Sequence, residues 1–165
     1  MKVYPELKIF SHLDQVYQTF SPECRSCKSL VFVNGTMDLF HAGHASLLNR
    51  SAELGDLLLV FINTDESIRT LKGSGRPILP LEHRQLLIAS LQCVDGVFAF
   101  PDARVTDYLE KIRPNFWVKA SDYTMDTIEV HEKEMAKKVG IEIVILPKVD
   151  GLSSTKLIKR IRDSV

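Results

Sequence analysis

Two histidines stand three positions apart in "NGTMDLFHAGH", Asn34 to His44, directly after an apolar run that ends in Asn-Gly. On a helical turn, His41 and His44 share a face. Asn34-Gly35 lets the backbone turn sharply and come close to a ligand. Gly43, between the histidines, leaves room for a bulky group. A helix start offers N–H donors and a positive dipole end, which suit an anion. Imidazoles add further donors, and positive charge when protonated. These residue types in this order describe a phosphate site built without many lysines. The same pair could serve a metal, although no third ligand is evident, or could cap a helix or sit in a core.

The surrounding elements must present this segment at an edge. Five β-rich apolar runs stand along the chain: Ser29–Asn34, Leu57–Asn63, Gly96–Phe100, Phe116–Ala120 and Ile141–Leu146. Their near-continuous apolar character predicts strands buried on both faces of a parallel sheet. Helical periods lie between them, at Gly43–Leu54 (stripe Leu47, Leu48, Ala52), Leu81–Leu91 (stripe Leu86, Leu87, Leu91), Arg104–Ile112 and Thr127–Val139. "SSTKLIKRI" closes the chain as a Ser/Thr-capped helix. The expected fold is α/β: a single Rossmann-like domain over residues 1–165, with a doubly wound, parallel, five-stranded sheet and helices on both faces. Residues 1–28, with the amphipathic "HLDQVYQTF", are expected to pack on it as a helical extension. Ligands of such folds bind beyond the carboxyl ends of the strands near the topological switch point, and Asn34–His44 leaves the first strand there.

Apolar residues make up 45% of the 165, charged residues 25%, and formal net charge is zero. Zero net charge argues against a general nucleic-acid binder. No apolar run approaches the roughly 18 residues that span a bilayer, and the N-terminus lacks a signal-peptide core. A cytoplasmic protein with no membrane partner is expected. Three cysteines do not make a disulfide framework. Cys24 and Cys27 form "CRSC", for which no second Cys/His pair stands at zinc-site spacing; a loop is expected there.

"NGTMDLFHAGH" resembles the signature of the cytidylyltransferase-like nucleotidyltransferases, and "GLSSTKLIKRI", Gly151 to Ile161, resembles the family's second motif. The resemblance runs from about Leu30 to Ile161. "LKGSGRP" followed by "EHR", and "VKASDY" at Val118–Tyr123, are most similar to the branch of adenylyltransferases that forms ADP-heptose. The chain departs from that branch where "NGTMD" replaces NGCFD, where "VKASDY" replaces VKGGDY, and where "EVHEKEMAKKVG" replaces a short EVVGG-like segment.

The resemblance implies transfer of a nucleoside monophosphate from a triphosphate (ATP or CTP) to a phosphorylated sugar or alcohol, with Mg²⁺ accompanying the triphosphate and held mainly by phosphates and water. It implies a homo-oligomer, expected as a dimer. No dedicated protein metal site is expected. His41 and His44 are assigned to the triphosphate and its transition state, and Asn34, Gly35, Thr36 and Gly43 to the same phosphates. Lys72, followed by Gly73 and Gly75, is expected as a mobile cation over the site. Ser153, Ser154 and Thr155 form a helix cap suited to β/γ phosphates. Lys119, Asp122 and Tyr123 follow the fourth expected strand, near the nucleobase. Asn63 and Asp65 resemble family positions on the acceptor side. Arg84 is expected either to bind a phosphate or to pair with Glu82. Asp38 is expected to orient the loop, and Trp117 to lie in the core.

Rival functions remain at this stage: a cytidylyltransferase acting on glycerol-3-phosphate or a similar alcohol, a non-catalytic nucleotide sensor, and a zinc site at Cys24/Cys27.

Overall fold

The computed structural model describes residues 4–121, 123–147 and 153–164. Six parallel strands form one sheet in the order β1-β4-β3-β2-β5-β6: β1 (Ile9–Phe10), β2 (Leu30–Gly35), β3 (Leu57–Asn63), β4 (Gly96–Phe100), β5 (Phe116–Ala120) and β6 (Glu142–Leu146). The apolar runs of the sequence predict five. The sixth, β1, is two residues long and pairs Ile9 with Val97 and Phe10 with Phe98. Two residues show no periodicity, so the N-terminal stretch gave no strand signal. That stretch is therefore not purely helical: a 3₁₀ turn (Pro5–Lys8) and β1 precede helix α1 (Leu13–Phe20).

The remaining helices are α2 (Ala42–Ala52), α3 (Asp65–Lys72), α4 (Leu81–Ala89), α5 (Thr106–Ile112), α6 (Val130–Val139) and α7 (Ser154–Arg162). Alternate residues of each strand point to opposite faces, so the sheet divides the core into two layers. On one face, Phe32, Leu59, Phe61, Phe98 and Trp117 pack with Phe20 of α1, Leu109 and Ile112 of α5 and Ala136 of α6. On the other, Val31, Val33, Leu58, Val60, Ile62 and Val118 pack with Leu48 of α2 and Ile88 of α4. Of the apolar face expected for α4, Leu91 packs against the core just beyond the helix end, but the other two leucines do not. Leu86 and Leu87 are exposed, and the helix buries Arg84, Ile88 and Ala89 instead. An arginine on the inner face breaks the apolar stripe that sequence periodicity relies on.

From β2 the chain winds outward through β3 and β4, then crosses back to place β5 on the other side of β2. The switch point thus lies between β2 and β5, and the β2–α2 loop leaves the sheet there.

Candidate active site

β2 runs through Asn34 into Gly35. The sharp turn expected at Gly35 falls later, because the left-handed residues of the loop are Met37 (φ 47°) and Leu39 (φ 45°). Non-glycine residues in this region each cost about 1–2 kcal/mol, and Asp38 between them supplies the compensation. The Asp38 carboxylate is buried. Its Oδ1 accepts N–H groups of Leu39 (3.0 Å), Ile78 (2.9 Å) and Leu79 (3.1 Å), and its Oδ2 takes Arg76 Nη1 at 2.8 Å. Burial works to raise the carboxyl pKa, but the Leu79, Arg76 and Ile78 donors outweigh it and hold the group below the usual carboxylate range. The Asp38 carbonyl accepts the Ser154 hydroxyl at 2.7 Å. One residue thereby joins the histidine loop, the segment before α4 and the start of α7.

The two histidines cap α2. His41 is the N-cap, with Gly43 N–H donating to its Nδ1 at 3.1 Å, and His41 N–H donates to His44 Nδ1 at 3.4 Å. This is the reciprocal arrangement of a capping box, with imidazoles in both roles. The rings stack with centroids 3.9 Å apart. Because both Nδ1 atoms accept, Nε2 is the protonated nitrogen of each neutral ring. Capping therefore uses the Nδ1 edge of each ring.

These residues line a cleft of about 680 Å³ at the carboxyl ends of β2 and β5. Asn34, Gly35, Thr36, Gly43, Lys72, Ser153, Ser154 and Thr155 line it with the two histidines, as do Lys119 and Tyr123 from the expected nucleobase side, so the described residues expected at the nucleotide converge. Lys72 is the last residue of α3, a helix that the sequence did not reveal, and Gly73 caps it in the left-handed region at φ 93°. Lys72 Nζ reaches the Thr36 hydroxyl at 3.0 Å. Ser153 caps α7 by accepting the Lys156 N–H at 3.1 Å. The Asn34 Oδ1 accepts both Trp117 Nε1–H (2.9 Å) and Lys119 Nζ (3.1 Å). Lys119 Nζ sits 4.3 Å from the Trp117 ring centroid and 4.9 Å from that of Tyr123, within cation–π range. Trp117 is fully buried.

The acceptor-side assignments separate. Asn63 lines the cleft, its Nδ2 donating to Ser67 Oγ at 3.1 Å. Asp65 and Arg84 lie behind the floor. Arg84 is fully buried, donating to the carbonyls of Thr36 (2.8 Å), Asn63 (2.9 Å) and Leu79 (3.1 Å) and pairing with Asp65 Oδ1 at 2.6 Å. It pairs with Asp65 and not with Glu82, and it clamps the ends of β2 and β3. Asp122 lies outside the described residues. Cys24 and Cys27 are exposed free thiols on the α1–β2 loop, and among the described residues no group of three or more His, Cys, Asp or Glu is placed to hold a metal ion.

Three residues that line or support the site carried no individual signal in the sequence. Arg76 reads as one more loop cation until Asp38 is seen beside it. Arg104 and Glu132 line the cleft wall; the charged "EVHEKEM" stretch marked their neighbourhood without pointing to either.

Residues 32–160 match the cytidylyltransferase-like family, a span that holds both the histidine helix start and the Ser/Thr cap. The chain belongs to that family. Family members similar to it include two curated relatives named bifunctional protein HldE. That of Alcanivorax borkumensis is 44% identical over 81% of this chain and 28% of the relative. That of Helicobacter hepaticus is 36% identical over 99% of this chain and 32% of the relative. The chain thus spans about a third of the length of these relatives. A solved lipopolysaccharide core biosynthesis protein from Thermoplasma volcanium is similar at 26% identity and TM-score 0.60, covering 74% of this chain and 99% of that one. Pantoate-beta-alanine ligase from Francisella tularensis shares the fold at 17% identity and TM-score 0.61, over 93% of this chain and 76% of that one. Among the described residues no helix is long and apolar enough to cross a membrane.

Proposed function

We propose that the protein transfers AMP from ATP to the phosphate of a sugar phosphate such as heptose 1-phosphate, releasing pyrophosphate. The observation that carries this reading is the convergence of three donor elements on the β2–α2 loop. The stacked histidines cap α2, Lys72 bonds Thr36, and the start of α7 bonds the Asp38 carbonyl. The similarity to HldE proteins over most of the chain supports the adenylyl branch.

In the proposed step an acceptor phosphate oxygen attacks the α-phosphorus. The bond to the α–β bridging oxygen breaks, and pyrophosphate leaves with that electron pair. No covalent enzyme intermediate forms. The protein's work is to hold two anions in line and to stabilise charge growing on the α-phosphate and the leaving group. The Nε2–H groups of His41 and His44 and the Lys72 ammonium are the donors suited to that charge. The Ser153–Thr155 helix start suits the β and γ phosphates. Mg²⁺ enters as part of the triphosphate substrate, coordinated by phosphate oxygens and water. A pyrophosphate-release assay crossing ATP, CTP, GTP and UTP with heptose 1-phosphate and glycerol 3-phosphate tests the reading. Turnover with ATP and the sugar phosphate is the expected result; turnover only with CTP would overturn the adenylyl assignment.

A further inference from the structure

On the cleft wall formed by the start of α6, Glu132 carries a carboxylate that the phosphoryl chemistry does not use. Glu132 is 7% exposed and lines the cleft. Its Oε1 accepts the Val105 N–H at 3.0 Å, tying α6 to the loop before α5. Among the described residues it makes no salt bridge, and its second oxygen has no hydrogen-bond partner. Beside it, Glu129 caps α6 through Oε2, which accepts the Glu132 N–H at 3.0 Å, and holds Arg104 at 3.5 Å through Oε1. Arg104 also lines the cleft. The wall is thus a carboxylate with one open oxygen next to an arginine held by a second carboxylate.

The residue is buried but its second oxygen opens on the cleft, so a ligand donor arriving there has an acceptor already held in place. Phosphate does not suit that oxygen, since it offers no donor and two anions repel. The complementary ligand part is neutral and rich in hydroxyl donors. Both proposed substrates carry hydroxyls, but α6 packs on the opposite face of the sheet from α2, whose start holds the triphosphate histidines. We infer that Glu132 reads the hydroxyl groups of a polyhydroxylated acceptor, its open oxygen accepting their hydrogen bonds while Val105 fixes the other, with Arg104 and Glu129 forming the rim of that subsite. The inference rests on the transferase reading above and adds the acceptor's chemistry to it. It concerns the stretch where this chain departs from the adenylyltransferase pattern it resembles.

Glu132→Gln is the test variant. It keeps the size and a carbonyl oxygen for Val105, removes the charge, and turns an amide into the cleft. Glu132→Asp, which keeps the charge but shortens its reach, is the companion should the first fold poorly. Calorimetric titration with heptose 1-phosphate, glycerol 3-phosphate and inorganic phosphate, with a non-hydrolysable ATP analogue bound, reads the subsite without turnover. The expected result is that Kd for heptose 1-phosphate rises about tenfold in Glu132→Gln, as loss of one charge-assisted hydrogen bond implies. Inorganic phosphate Kd and the KM for ATP should stay within about twofold. Unchanged heptose 1-phosphate binding would overturn the inference. So would a wild-type protein that binds inorganic phosphate as tightly as the sugar phosphate, or a variant whose loss falls on ATP, which would move the contact to the ribose. Selective sugar-phosphate binding without pyrophosphate release from any triphosphate would defeat the transferase reading and leave the Glu132 assignment standing.

Discussion

Both Nδ1 atoms of His41 and His44 accept backbone N–H groups at the start of α2, and the two rings stack 3.9 Å apart. Capping fixes which nitrogen carries the proton, so the structural role can be tested apart from the proposed chemical one. His41→Asn separates them, because Asn is among the best N-cap residues but cannot supply Nε2–H. Tm should change by no more than about 3 °C, while kcat falls about 100-fold, as for loss of an oxyanion donor. Differential scanning calorimetry and steady-state kinetics on one preparation check this. A variant that loses Tm but keeps kcat would confine His41 to capping.

Lys72 is exposed and its bond to the Thr36 hydroxyl spans the cleft rim. An exposed bond of this kind adds at most about 1 kcal/mol to stability. Lys72→Met should therefore shift Tm by no more than about 4 °C and lower kcat/KM for ATP by about tenfold or more. Equal kcat/KM would make Lys72 a solvated surface residue.

Arg84 makes its hydrogen bonds to the Thr36, Asn63 and Leu79 carbonyls and to Asp65, and does not itself line the cleft. Arg84→Met leaves the Asp65 charge and several carbonyls unpartnered, and unfolding free energy should drop by about 3–5 kcal/mol. Arg84→Lys keeps the charge but not the fork. It should lose stability while its acceptor KM stays within about threefold. Chemical denaturation and acceptor titration together decide the point; a large KM change at full stability would return Arg84 to the substrate.

Asp38 gives the pH dependence. Its carboxyl is held below the usual range in the folded state by the Leu79, Arg76 and Ile78 donors, which outweigh burial. An acid of lowered folded pKa stabilises the fold above its unfolded value, near 3.9, and that contribution is lost as pH falls through the folded one. Wild type should therefore exceed Asp38→Asn by a constant margin of about 2 kcal/mol from pH 6 to 8, and the margin should shrink below about pH 4. Denaturant melts across that range measure it. A margin that grows in acid would contradict the assignment.

The five longer strands were legible because burial on both faces makes each a continuous apolar run, as in "LLLVFIN". β1 was not, since pairing of two residues depends on β4 and not on local pattern. α3 hid for a related reason: "DESIRTLK" buries only Ser67 and Ile68, too little for an apolar stripe. In the site, the histidine and Ser/Thr motifs stood out because their neighbours in sequence share their task. Arg84 misled because its partners lie 5 to 48 residues away, a distance that no local pattern reports. Glu132 was invisible for the same reason: Val105, the group that orients it, is 27 residues distant.

The most direct measurement follows the α-phosphorus itself. ATP labelled with ³²P at the α position is incubated with heptose 1-phosphate, Mg²⁺ and either wild type or His41→Asn. Label moving from ATP into a sugar nucleotide, with one pyrophosphate released per transfer and the rate about 100-fold lower in the variant, is the result this account predicts. Label remaining in ATP, or appearing as free AMP at equal rates in both proteins, would contradict it.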